Sequence, residues 1–170
     1  GYSGDGGPKE HAGFYQPEHL DFDSKGNLYV CDNANNRIRK IDMNTGIVST
    51  VLGNGQFASN GDNGPAVQAS TLMPDALFID SKDNIYVGEK YGFRVRKIDG
   101  STGIVTTIAG TGVPGMGEEN VPATSTECNS VEVGMWVDTD ETVFFSDCGG
   151  RLRRIDAKSG LVTTVLGGTS

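Results

Sequence analysis

The chain has 170 residues, a net charge of −8, 36% apolar residues and 25 glycines. That length carries one ordinary domain with a real core, and the glycine-rich, modestly apolar mix suits a turn-rich all-β protein. The negative charge repels polyanions and no apolar run approaches the roughly 20 residues that span a bilayer, so neither nucleic acid nor a membrane is expected as a partner.

The sequence opens as GYSGDGGPKEH, a glycine-rich loop without the basic-then-apolar order of a signal peptide. Such an opening suggests a start that was trimmed or processed. Four short runs of β type follow, at 19–23, 28–32, 37–42 and 47–52. Leu20 and Phe22 share a face, as do Leu28 and Val30, which is the period of a strand. The turns between them, DSKGN, DNANN and DMNTG, are built from residues that tolerate left-handed backbone or bond their own backbone. A long Gly- and Asn-rich connection, 53–72, leads into a second unit with the same order, and a third follows. No stretch holds a helical period.

The segment NRIRKIDMNTGIVSTVLGNG at 36–55 returns as FRVRKIDGSTGIVTTIAGTG at 93–112 and as GRLRRIDAKSGLVTTVLGGT at 150–169. Arg37, Arg94 and Arg151 keep a step of 57 residues, as do Gly46, Gly103 and Gly160. A fixed period of this size means one supersecondary unit repeated. The units run over about 1–55, 56–112 and 113–170, each a four-stranded antiparallel meander. Four strands per unit and glycine-rich links predict β-propeller blades, three per chain. A solenoid of four-stranded sheets is the competing geometry.

The first unit, from GYSGDGGP through QPEHLDFDSKGNLYVCDNANNRIRKIDMNTGIVSTVLGNG, resembles the bacterial NHL repeat in its loop, strands and closing glycines. The second unit fits as well. The third diverges: Glu141-Thr142 stands where the others have Gly26-Asn27 and Asp83-Asn84, and the turn DCGGR is shorter. The resemblance covers essentially the whole chain and implies a six-bladed ring. It implies no single function, because NHL propellers include enzymes, protein-binding modules and RNA-binding modules.

Propellers typically close with about four to eight blades. Three would each need a wedge of roughly 120°, beyond what face-to-face sheet packing permits. An open half-ring leaves two apolar faces in water. Joined end to start, the chain reads TTVLGGTSGYSGDGGP, close to the internal junction STVLGNGQFASNGDNGP. The expectation is a two-fold, head-to-tail homodimer that closes one six-bladed ring, blade one against the partner's blade three. Residues 1–16 are expected to lie over the partner. The alternative is a fragment of a longer six-repeat protein.

Positions shared by all units should serve the fold, and positions that differ are free to serve a ligand. Arg37, Arg94 and Arg151, with Arg39, Arg96 and Arg153, recur beside turn acids and are expected to pair across turns at partly exposed sites. Leu20, Leu77 and Met135, with Phe22, Ile79 and Val137, fall on the packing side of the first strands. The channel side carries His19, Asp21, Phe78 and Trp136, with Glu18 and Asp75 at the mouth. The loop face on the same side carries Asn33, Asn35, Asn36, Lys90, Tyr91 and Phe93. This acid-and-aromatic surface suits a small polar or cationic molecule, or a protein. The plainer reading has Phe78 and Trp136 plugging the channel and His19 hydrogen-bonded within the fold. His19 and Asp21 share a strand face, which invites an acid–base reading.

Only three cysteines and two histidines are present and no C-x-x-C pair occurs, so no metal or other cofactor is expected. Cys128 and Cys148 fall at one end of the third unit and are candidates for a disulfide. Cys31 reads as a small buried residue. The favoured function is a non-enzymatic binding or scaffold module. The alternative is a lyase or hydrolase working at the central channel.

Overall fold

Alternating side chains make the strands, and Asp-rich turns reverse them. The computed structural model describes residues 1–168 and contains three antiparallel sheets. Sheet 1 holds β1 (Pro17–Phe22), β2 (Leu28–Asp32), β3 (Arg37–Ile41) and β4 (Val48–Leu52), in that order. Sheet 2 holds β5 (Gly64–Pro65), β6 (Pro74–Ile79), β7 (Ile85–Glu89), β8 (Arg94–Ile98) and β9 (Ile104–Ala109), ordered β5-β9-β8-β7-β6. Sheet 3 holds β10 (Val121–Pro122), β11 (Val131–Val137), β12 (Val143–Asp147), β13 (Arg151–Ile155) and β14 (Leu161–Leu166), ordered β10-β14-β13-β12-β11. The four-strand meander is therefore present in each unit. Sheets 2 and 3 also gain a two-residue strand that the sequence did not signal, where the incoming connection lies along the last strand. Thr169 and Ser170, part of the junction joined above, lie outside the described residues.

The D-x-x-[TS]-G motif is a turn with one mechanism. Gly46, Gly103 and Gly160 sit at φ 72°, 69° and 68°, a backbone that favours glycine. Their N–H groups donate to the carbonyls of Asp42, Asp99 and Asp156 at 2.7, 2.8 and 2.8 Å. The same aspartates accept N–H bonds from Thr45, Thr102 and Ser159 through their side chains.

Two apolar clusters hold the sheets face to face. One joins Tyr29, Cys31, Ile38 and Leu52 of sheet 1 to Leu77, Ile79, Ile85 and Val87 of sheet 2. The other joins Tyr86, Val95 and Ala109 of sheet 2 to Val131, Val137, Val143 and Phe145 of sheet 3. The outward faces tell a different story. Leu52 and Ala109 are fully buried, whereas their counterpart Leu166 is 64% exposed. Leu77 is 1% exposed, whereas its counterpart Leu20 is 53% exposed, and Phe22 and Trp136 are likewise open.

Arg37 and Arg94 are partly exposed as the sequence suggested, but the second arginine of each unit is not. Arg39, Arg96 and Arg153 are the three largest fully buried side chains. Arg39 pairs with Asp5 at 2.7 Å and Asp32 at 3.2 Å, and it donates to the carbonyls of Ser3 and Gly13. Arg96 pairs with Asp62 at 2.6 Å and Glu89 at 3.5 Å, and it donates to the carbonyls of Asn60 and Ser70. Arg153 reaches Glu119 at 3.4 Å and the carbonyls of Met116, Glu118 and Glu127. Each guanidinium thus pins the incoming glycine-rich connection onto its own sheet. The loop acid completes the clamp by accepting the N–H and hydroxyl of Thr50 (Asp5) or Thr164 (Glu119). This lays residues 1–16 along sheet 1 of their own chain: Gly6 N–H donates to Val48 O and Lys9 N–H to Gly46 O, both at 2.8 Å. The loop's polar groups thus find partners in the sheet that follows them.

Two outcomes follow from these contacts. Arg96→Met leaves the buried Glu89 without its cation in a dry site and is expected to lower unfolding free energy by about 3–5 kcal/mol, read from urea denaturation. Arg96→Lys recovers only part, since an ammonium cannot span the same set of acceptors. The second concerns acid. Burial favours the neutral form of Asp23, but bonds from Asn27, Lys40 and Lys25 outweigh it and hold the carboxyl at about 2. The Ser101 hydroxyl and the Ser159 N–H lead the sets of bonds that hold Asp99 and Asp156 at about 2. An unfolded aspartate titrates near roughly 3.9, so this stability is present above that pH and is lost as pH falls toward 2. The urea midpoint should drop between pH 5 and pH 2, and Asp99→Asn should flatten that drop.

Candidate functional site

The candidate site is the end of the molecule where the first strands begin and the long connections meet the second turns. A bulge near the start of each first strand sets its geometry. In β1, Pro17 pairs with Asp32 and the register shifts before Leu20 meets Val30. In β6, Pro74 pairs with Glu89 and Ala76 with Gly88. In β11, Val131 pairs with Asp147 and Met135 with Phe145, so this bulge holds one more residue than that of β1. Register therefore aligns Glu18, Asp75 and Glu132, each directly after the paired residue. Glu132 was missed from sequence, because the longer bulge displaces it by one position from the other two.

Lys90 stands between two of these acids. Its Nζ lies 3.2 Å from Glu132 and 3.6 Å from Asp75. Burial raises the pKa of Asp75, the Lys90 charge opposes the rise, and the charges of Glu132 and Glu18 add to it. Burial also raises the Cys31 and Cys148 thiols, and the acids of the mouth push both further up. Among the described residues no group of three or more His, Cys, Asp or Glu side chains is placed to hold a metal ion.

The other predicted residues divide into two groups. Several are taken up by the fold. Asp21 accepts Phe22 N–H with one oxygen and Ile79 N–H with the other, both at 2.8 Å, which ties sheet 1 to sheet 2. Asn33 is buried and donates to Pro74 O at 3.2 Å. Asn35 donates to both oxygens of Asp32. Asn36 adopts φ 52° and accepts Met73 N–H, and Phe93 holds the same left-handed place in sheet 2 at φ 51°. At Asn36 and Phe93 the two units meet one backbone demand with different side chains. The remainder face outward. Glu18, Tyr91 and Trp136 are exposed, and His19 is half-buried on β1. Phe78 meets Trp136 edge-on, with ring centroids 5.0 Å apart and planes at 62°.

The proposed disulfide is not formed. Cys128 is buried in the second apolar cluster, while Cys148 is exposed, and both are free. Cys148 N–H donates to Ser130 O, and that backbone bond holds the turn to the connection. Two clefts, of about 450 and 410 Å³, lie between successive sheets and away from the mouth. The first is lined by Asp23, Tyr29, Lys40 and Ala66, and the second by Tyr86, Lys97, Ala123 and Glu141.

Residues 14–41 match the NHL repeat family model. NHL repeat-containing protein 2 of Bos taurus is 31% identical over 110 residues, which cover 59% of this chain and 15% of that protein. The chain thus spans well under a quarter of the length of that curated relative. A Bacteroides thetaiotaomicron structural genomics protein of unknown function superposes with a TM-score of 0.66 at 19% identity, over 86% of this chain and 34% of its own. An auxiliary nutrient binding protein from Bacteroides ovatus gives 0.60 at 18% identity, over 86% and 37%. Virginiamycin B lyase from Staphylococcus aureus gives 0.56 at 16% identity, over 87% and 40%. At these identities the likeness is one of fold, and that fold is β-propeller-like.

Lys90→Met removes the cation between Asp75 and Glu132 and leaves like charges facing one another. The loss of stability should be roughly 1 kcal/mol at pH 7 and smaller at pH 3, where Asp75, its carboxyl raised by burial, is protonated. Urea denaturation at the two pH values reads the difference, and Lys90→Arg should show little of it.

Proposed function

We propose, on the premise that this chain belongs to the NHL-repeat family, that it is a non-enzymatic binding or scaffold module. In this reading, units 1–55, 56–112 and 113–170 are three blades, and a second copy supplies the other three of a six-bladed ring. The ligand or partner sits at the channel mouth and on the loop face. The carrying observation is the contrast between inner and outer faces. Leu52 and Ala109 are buried by the next sheet, and Leu77 by the one before it. Their counterparts Leu166 and Leu20 are more than half exposed. A face that twice buries a neighbouring sheet is shaped to take a third.

The chemistry of the mouth supports binding better than catalysis. The lyase or hydrolase reading needed an acid–base pair, and Asp21 has both oxygens engaged by backbone N–H groups. What remains at the mouth is the exposed Glu18 beside the Asp75–Lys90–Glu132 cluster, with Tyr91 and Trp136 exposed. Acids beside aromatic faces suit a small cationic or polar ligand.

Sedimentation equilibrium should give twice the chain mass of 18.0 kDa. A well-folded species at the single-chain mass overturns the two-copy reading. Thermal-shift measurements with choline and spermidine as probes should raise the melting temperature, and Glu132→Gln should reduce that rise. Equal shifts in both proteins would overturn the mouth as the site.

A further inference from the structure

The two clefts between successive sheets share one construction. The preceding sheet supplies a tyrosine and a lysine, Tyr29 and Lys40 or Tyr86 and Lys97, and each tyrosine hydroxyl donates to a turn aspartate, Asp23 in the first cleft and Asp80 beside the second. The connection into the following sheet supplies a buried alanine, Ala66 or Ala123. An alanine suffices because the aspartate is satisfied within its own sheet. Asp23 accepts from Asn27 Nδ2 at 2.8 Å, Tyr29 Oη at 3.2 Å and Lys40 Nζ at 3.3 Å. Asp80 accepts from Asn84 Nδ2 at 2.8 Å and Tyr86 Oη at 3.1 Å.

Sheet 3 breaks this pattern. Thr142 replaces the asparagine and Phe144 replaces the tyrosine, so the amide and phenol donors are gone, and the Thr142 hydroxyl makes no bond to Asp138. Arg154 replaces the lysine but turns to Asp156 at 2.6 Å. Asp138 is left exposed, with Thr139 as its side-chain partner. The opposite end of the chain carries the reciprocal change. Lys9 holds the place of Ala66 and Ala123: the N–H groups of these three residues donate to Gly46, Gly103 and Gly160 carbonyls at 2.8, 2.9 and 3.0 Å. Lys9 is exposed and forms no ion pair among the described residues. An acid that has lost its donors and a cation in an alanine's place thus stand on opposite end faces. They share a cleft only where sheet 1 of another copy follows sheet 3.

We infer that the ring-closing cleft is an intermolecular ion pair, Lys9 of one copy with Asp138 of the other. This rests on the two-copy reading and names the contact that selects the partner. The backbone fits the same docking. Gly53 and Gly110 N–H donate to Ala66 and Ala123 carbonyls at 3.2 and 2.9 Å, so Gly167 N–H would meet Lys9 O of the second copy.

The test is a charge-swap cycle on the whole chain, read by sedimentation. Lys9→Glu and Asp138→Lys should each raise the dimer dissociation constant about tenfold or more, and the double variant should recover most of the loss. Circular dichroism should be unchanged in all three, since both positions are exposed. Single variants that dimerise like the wild type overturn the pair while the two-copy reading stands. A wild type that is monomeric overturns both.

Discussion

Three buried guanidiniums organise this protein. Arg39, Arg96 and Arg153 each sit in the dry interior of a sheet and hold a glycine-rich connection by its carbonyls. Burying a charge costs several kcal/mol, and pairing offsets that cost only when the surrounding donors and acceptors are nearly complete. The net gain over an apolar core of equal volume is small. The gain in specificity is large, because one loop conformation presents the needed acid and carbonyls together. The glycines of SGDGGP and SNGDNGP follow from this demand: Gly4 and Gly61 adopt φ 88° where the loop wraps past Ala12 and Ala69.

Once each connection is fixed, the sheets stack by apolar contact and by a few directed polar bonds that differ from seam to seam. Between sheets 1 and 2, Ser24 donates to Asp83 by both its N–H and its hydroxyl at 2.8 Å. Between sheets 2 and 3, Glu141 takes Lys82 and Lys97. Asp83 and Glu141 hold left-handed backbone at φ 60° and 69°. At the same turn of sheet 1, glycine takes the left-handed place and offers no side chain to a preceding sheet. Seams of one repeat are thus individually addressed, which gives end faces a chemistry of their own.

The mouth gathers like charges where the fold can tolerate them. Asp75 is buried and opposed by Glu18 and Glu132, and Lys90 is the group that makes the arrangement affordable. A ligand with positive charge would relieve the same repulsion. That is the physical basis for reading this end as a binding surface.

The repeat made the strands and turns legible. A step of 57 residues, period-two alternation and the D-x-x-[TS]-G turn are local properties, and local sterics decide them. Sequence comparison also separated Leu20, Leu77 and Met135 from the opposite strand face. It did not reveal that Asn33, Asn36 and Asp21 serve the backbone, that Cys128 and Cys148 stay apart, or that Glu132 joins Glu18 and Asp75. Each of these depends on what lies opposite in another sheet or across a bulge, and one added residue in a bulge changes the neighbour without changing the motif. The sequence by itself determined the unit and its repetition, because hydrogen bonding along a strand is local. Only the tertiary structure decided which arginine is buried, which turn acid keeps no donor beyond its chain neighbour and which faces remain open, because burial is a property of the packed sheets and not of any one of them.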